Sequence, residues 1–313
     1  MPSHLMLTVT VPDAETLAEL DAPPGVRLVE WGMTADLPPD VAGAVDVVVV
    51  PHYFTDQAGF ARLHDLPRLS FVQIPSAGYE HVLRHLPVGV ALSNGRGVHD
   101  DETAELALAL VLASLRGLDE YVRQQVDAVW APRTRSSLAD RRVMVLGYGS
   151  IGSAIADRLE PFRVELVRVA RTARDVPAGH VHGIDELTAL LPTVDVVIVI
   201  VPLTPDTLGM VDAPFLARMR DGALLVNMAR GKVVDTPALL VELESGRLRA
   251  ALDVTDPEPL PADHPLWRAP GVIITPHEGG NTTATPSRMT ALVQAQLARI
   301  AAGQPPANVV ART

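Results

Sequence analysis

Three side chains able to manage a proton and a carboxylate follow three apolar runs: Arg230 after LLVNMA, Glu258 within DVTDPEPLP and His277 after VIITP. An imidazole beside a carboxylate is an acid–base pair, and a guanidinium is a planar fork that grips a carboxylate through two N–H bonds. Singly, each has an ordinary alternative: a surface ion pair for Arg230, a solvated loop carboxylate for Glu258, a satisfied or exposed imidazole for His277. A charge at the mouth of a buried strand is costly without a partner, however, and ligands of open α/β sheets collect at the carboxyl ends of strands. All three residues hold such positions beside a nucleotide motif, and the combination outweighs the ordinary alternatives.

That motif is VMVLGYGSIGSAIADRL, with Gly147, Gly149 and Gly152 in G-x-G-x-x-G spacing after a strand and at the opening of a helix. Small residues there let backbone approach a pyrophosphate, and the helix N-terminus supplies N–H groups and a positive dipole end. About 20 residues on, where a carboxylate usually meets the ribose 2′-hydroxyl, the sequence reads Ala170, Arg171, Thr172 and Arg174. Arginine without a carboxylate suits a 2′-phosphate, so NADP(H) is the expected cofactor, with NAD(H) as the alternative. A solvated arginine pair is the structural alternative.

The elements that position these residues alternate strand-like and helix-length segments. MLTVTV (6–11), VDVVVVP (45–51) and FVQIP (71–75) precede residue 100; RVMVLG (142–147), VELVRVA (164–170), DVVIVIVP (195–202), GALLVNMA (222–229), RAALDV (249–254) and GVIITP (271–276) follow it. This βα alternation implies parallel sheets of the α/β class, and the near-continuous apolar runs suit strands covered on both faces. A mostly apolar helix is expected from about Thr103 to Leu118, with Asp100 and Asp101 as capping candidates. His52, Tyr53 and Phe54 follow one strand, either near a ligand cleft or in a packed strand-end cluster.

At 313 residues, two domains are expected. A content of 48% hydrophobic and 20% charged residues is that of an ordinary globular protein. The net charge of −11 disfavours nucleic acid and anionic membrane as partners. The absence of cysteine excludes disulfides, thiolate catalysis and cysteine-type metal centres, and no metal is assigned. The opening MPSHLMLTVTVPDA has no basic n-region or apolar h-region, and the run LALALVLASL is too short to span a bilayer. A cytoplasmic location is therefore expected.

From about residue 71 onward the chain resembles the D-isomer-specific 2-hydroxyacid dehydrogenases. The resemblance runs through FVQIPSAGYEHV, TAELALALVLASLR, VLGYGSIG, VPLTPDTLGMV, LLVNMARGKVVDTPALLVELESGRLRAALDVTDPEPLPADHPLW and VIITPHEGG. It implies two Rossmann-like domains, a flavodoxin-like substrate domain over 1–97 plus 284–313 and a doubly wound NAD(P)-binding domain over 98–283, with a cleft between them. It further implies a homodimer built largely through the cofactor domains, and hydride transfer between nicotinamide and a small 2-keto or 2-hydroxy acid, glyoxylate and hydroxypyruvate being the expected class.

By residue, Arg230 matches the clamp on the substrate's carboxylate and carbonyl oxygen, His277 the general acid, and Glu258 its carboxylate partner. Ser76, Ala77 and Gly78 match the substrate loop whose N–H groups meet the carboxylate. Ser150 and Ile151 match the pyrophosphate site, Pro202 and Thr207 line the cofactor cleft, and Met228 and Ala229 approach the cofactor through backbone. Asp253 matches the aspartate facing the nicotinamide carboxamide, with a strand-end cap as its alternative.

There are departures. Arg163 stands where relatives often carry glycine, so that turn should differ or bear modest strain. Glu278 follows His277 where a small or apolar residue is commoner. Formate oxidation is disfavoured because Glu258 stands where those relatives use glutamine, and phosphite oxidation because the loop near Ala77 lacks a lysine. A non-catalytic, dinucleotide-sensing corepressor is the alternative of a different class.

Overall fold

Valine- and leucine-rich runs with no polar alternation need apolar cover on both faces, and a parallel sheet between helix layers supplies it. The computed structural model describes residues 6–52 and 56–313. It forms two compact units, Met1–His99 with Thr283–Thr313, and Asp100–Thr282. The strands are β1 (Leu7–Val11), β2 (Val26–Glu30), β3 (Val45–Val49), β4 (Phe71–Gln73) and β5 (Ala91–Ser93), then β6 (Arg142–Leu146), β7 (Glu165–Ala170), β8 (Arg174–Val176), β9 (Gly179–Gly183), β10 (Val196–Val199), β11 (Leu224–Asn227), β12 (Arg249–Leu252) and β13 (Val272–Ile274), and finally β14 (Val309–Arg312).

The first unit's sheet has the order β14-β5-β4-β3-β1-β2, parallel except for β14. Without that antiparallel edge it is the flavodoxin-like order 2-1-3-4-5. Val9, Val11, Val47 and Val49 form one face with Val293 and Leu297 of the helix Thr285–Ala301. Val45, Val48, Val72 and Leu92 pack into the opposite layer.

The second sheet runs β13-β12-β11-β10-β6-β7-β9-β8, parallel except for the β8–β9 pair. From β9 to β12 this is the dinucleotide order 3-2-1-4-5-6, which reverses between β6 and β10. Side chains alternate between two cores: Met144, Leu146, Val197, Val199 and Leu225 on one face, Val143, Val145, Val196, Ile198 and Val226 on the other. The helix Asp100–Arg116 covers the latter face through Ala104, Ala107, Leu110 and Val111.

Asp100 and Asp101 stand inside that helix's first turn rather than ahead of it, Asp100 accepting from the Ser150 hydroxyl and Asp101 pairing with Arg158 at 2.7 Å. β2, β8 and β14 are edge strands paired on one side, and their half-polar sequences carry little periodic signal. Tyr53 and Phe54 lie outside the described residues; His52 stacks on His99 at 5.4 Å between ring centroids.

Arg163 adopts φ +58°, the left-handed conformation that favours glycine. Its only ion pair among the described residues is a 3.8 Å contact with Asp140 between two exposed side chains, which contributes little. Arg163→Gly should therefore raise the unfolding free energy by about 1 kcal/mol in urea titration; a loss of stability would contradict the strain.

Candidate active site

β11, β12 and β13 are adjacent and parallel, with Asn227 opposite Leu252 and Leu252 opposite Ile274. Their carboxyl ends consequently share one sheet edge, and the next residues along each strand are those of the three chemical loops. After β11 the buried Asn227 folds the chain back: its Oδ1 accepts the Ala229 N–H at 3.0 Å and its Nδ2 donates to the Arg230 carbonyl at 3.1 Å. Arg230 follows in extended backbone, with its Nη1 on the Ala229 carbonyl at 2.8 Å. A Cβ on Gly231 would run into the Thr255 carbonyl, so glycine lets the arginine loop lie directly against the segment leading to Glu258.

Past β12, Asp253 is only 3% exposed. Its Oδ1 accepts from the Thr275 hydroxyl at 2.5 Å and the Glu278 N–H at 2.9 Å, and its Oδ2 from the Gly279 N–H at 3.0 Å. The Asp253 carbonyl takes the His277 N–H at 2.8 Å. These bonds close a turn around His277, a non-glycine residue at φ +59°. The turn is also tied to the helix Asp100–Arg116 by the Thr103 hydroxyl, 3.0 Å from the Gly279 carbonyl.

Held this way, His277 Nδ1 lies 2.5 Å from Glu258 Oε1, with the side chains 38% and 39% exposed. An ionised carboxylate only accepts, so Nδ1 carries the proton and Nε2 is the nitrogen left for chemistry. Glu278 turns to Asn281, which donates to its Oε2 at 2.8 Å.

At the other side of the same sheet, Gly147 sits at φ +113°, where a Cβ would strike the Ile200 carbonyl, and Gly152 packs on the Gly147 carbonyl. A Cβ on Gly149 would meet nothing within 4 Å, so backbone there faces open space. Gly149 precedes the helix Ser150–Leu159, whose first internal bond is Ser153 N–H to the Gly149 carbonyl. The N–H groups of Ser150 and Ile151 are thus left for an outside acceptor. Two tight glycines and one open one at a strand-order reversal fit a dinucleotide pyrophosphate.

Arg174 closes over this turn, donating to the Tyr148 carbonyl at 2.9 Å. Arg171 and Thr172 are exposed after β7, and Arg171 makes no ion pair among the described residues. The loop after β10 is knitted by Thr207, whose hydroxyl donates to the Pro202 carbonyl at 2.6 Å. Met228 and Ala229 are buried.

In the first unit the carbonyls of the Ser76–Gly78 loop are all engaged: Ser76 with Gly95 N–H at 2.8 Å, Ala77 with Asn94 Nδ2 at 2.7 Å, and Gly78 with the Ser76 hydroxyl at 2.7 Å. The loop's three N–H groups have no acceptor among the described residues. Asn94, Asn227 and Thr275 shape these loops and were not singled out from the sequence; their one signal is a polar side chain at or just past a strand end.

The model of the D-isomer specific 2-hydroxyacid dehydrogenase NAD-binding domain matches residues 108–279. An uncharacterised Corynebacterium melassecola protein, encoded in the region 3′ of proB, is 35% identical over 239 residues, 73% of this chain and 76% of its own. The crystal structure of a D-isomer specific 2-hydroxyacid dehydrogenase from Xanthobacter autotrophicus Py2, in complex with NADPH and MES, is 30% identical, covers 97% of this chain and 98% of its own, and superposes with a TM-score of 0.81. An NADPH-dependent glyoxylate/hydroxypyruvate reductase from Sinorhizobium meliloti is 27% identical, with 98% and 97% coverage and a TM-score of 0.78. The chain belongs to the D-isomer-specific 2-hydroxyacid dehydrogenase family, oxidoreductases that use nicotinamide dinucleotides.

Asp253 is the keystone of the histidine turn. Asp253→Ala strands three donors at a buried site and should lower the unfolding free energy by about 3 kcal/mol; thermal or urea unfolding within 1 kcal/mol of the parent would contradict that role.

Proposed function

We propose that this protein reduces a small 2-keto acid of the glyoxylate or hydroxypyruvate class to the D-2-hydroxy acid, with NADPH preferred over NADH. The observation that carries the reading is the His277–Glu258 pair at 2.5 Å on the sheet edge that also bears Arg230. Nicotinamide supplies the hydride when bound. Arg230 grips the substrate carboxylate and carbonyl oxygen, and His277 Nε2–H gives its proton to that oxygen as it becomes an alkoxide. Glu258 keeps Nδ1 protonated, which fixes the ring's orientation and leaves a neutral imidazole after the transfer.

We assign Ser76, Ala77 and Gly78 to the substrate carboxylate, because their carbonyls are fixed and their N–H groups have no acceptor among the described residues. Gly147, Gly149, Ser150, Ile151 and Gly152 hold the pyrophosphate. Pro202, Thr207, Met228, Ala229 and Asp253 border the cofactor, Asp253 also serving its own turn. Arg171 and Thr172 take the 2′-phosphate, a reading favoured by an arginine without an ion-pair partner among the described residues and by the NADPH-bound Xanthobacter relative.

Initial rates with NADPH and NADH against glyoxylate, hydroxypyruvate and pyruvate test the whole reading. Arg230→Ala and His277→Ala should each lower kcat/KM by about 10²–10⁴-fold. Arg171→Ala should raise the NADPH KM by about 10–100-fold and spare NADH. Equal use of both cofactors by the parent would remove the NADP(H) preference, and intact turnover in the His277 variant would remove the mechanism.

We also propose a homodimer through the second unit. Leu118, Val122 and Val126 form one stripe of the helix Leu118–Val126 and are 50–82% exposed, beside Trp130 at 95%. Such a cluster calls for a covering surface. Light scattering should give twice the 33.4 kDa chain mass, with Val122→Asp shifting the protein toward monomer. A monomeric parent would remove this proposal.

A further inference from the structure

The reaction centre leaves one cluster of metal-ligating side chains unused, at the far edge of the second sheet. In β9 the burial alternates: Val181 is fully buried, His180 is exposed and His182 half-buried. The two histidines therefore share the outward face, as residues i and i+2 of a strand do. Their rings meet edge-on with centroids 4.8 Å apart. Glu186, in the turn that follows, joins them. One ligand atom from each of the three residues lies within 4.8 Å of the other two, and no other such group of three occurs among the described residues.

We propose that His180, His182 and Glu186 bind one divalent transition-metal cation of the zinc type. A tetrahedral centre with ligand bonds of about 2.0–2.2 Å sets its ligand atoms about 3.3–3.6 Å apart, so a small side-chain rotation closes the site. The supporting shell is already built. Asp175 lies opposite His180 in the β8–β9 register, and its Oδ1 is 2.7 Å from His180 Nδ1. That carboxylate holds a proton on Nδ1 and leaves the Nε2 lone pair for the cation, the orientation carboxylates impose on metal-bound histidines.

Glu186 is held in the same manner: its Oε1 accepts the Gly183 N–H at 2.9 Å, and its Oε2 faces His182 Nδ1 at 2.8 Å. A cation takes the place of the proton those two atoms share. Two imidazoles and a carboxylate leave the fourth position of a tetrahedron to water.

The site shares no residue with the reaction centre, so the two readings fail independently. Untagged full-length protein titrated with Zn²⁺ in a calorimeter should take up one equivalent, and Co²⁺ should give the absorption of a tetrahedral site. His180→Gln and His182→Gln should each weaken binding at least tenfold, and Asp175→Asn by about tenfold through loss of its orienting bond. All three positions are at the surface, and circular dichroism checks the fold. Affinity weaker than about 1 mM in the parent, or histidine variants that bind like the parent, would overturn the site and leave two histidine–carboxylate ion pairs.

Discussion

A carboxylate taken out of water has to find donors for its lone pairs, and Asp253 finds them in the turn that carries His277. That single requirement brings the chain past β13 back over the end of β12. It holds His277 in a left-handed conformation that a free chain would seldom choose. The imidazole then meets Glu258, which follows β12, and one buried polar knot fixes the acid–base pair from two strand ends. The geometry of the His277–Glu258 pair is thus set by a carboxylate that touches neither side chain's hydrogen bond.

The same edge carries the other ingredients because parallel strands point their carboxyl ends one way. Gly147 to Gly152 follow β6, Arg171 follows β7, Pro202 to Thr207 follow β10, Arg230 follows β11 and His277 follows β13. These loops lie along the edge where the strand order reverses, the place at which open α/β sheets bind ligands. Close approach is purchased with glycine where backbone meets backbone, at Gly147, Gly152 and Gly231, whereas Gly149 opens to solvent.

The departures from the family pattern have local explanations. Arg163 occupies the turn that glycine would fill, in the left-handed conformation glycine prefers. Glu278 donates its backbone N–H to Asp253 and turns its carboxylate to Asn281, so the extra charge is engaged within its own turn.

Much of this was decided by the sequence alone. Apolar runs of valine, isoleucine and leucine, separated by helix-length segments, dictate parallel strands buried on both faces. Glycine spacing between a strand and a helix dictates a dinucleotide turn, and both are local consequences of backbone sterics and periodicity. Arg230, Glu258 and His277 were legible because each stands at the end of such a run. Tertiary structure alone decided that Asp253 spends its carboxylate on the histidine turn, that Asn227 folds the arginine loop, and that His180 and His182 share a face with Glu186 and Asp175. The edge strand β8 and its neighbour β9, short and half-polar, leave no periodic trace. They form a local hairpin that joins the sheet through the pairing of β9 with β7, and that pairing sets those side chains within bonding distance.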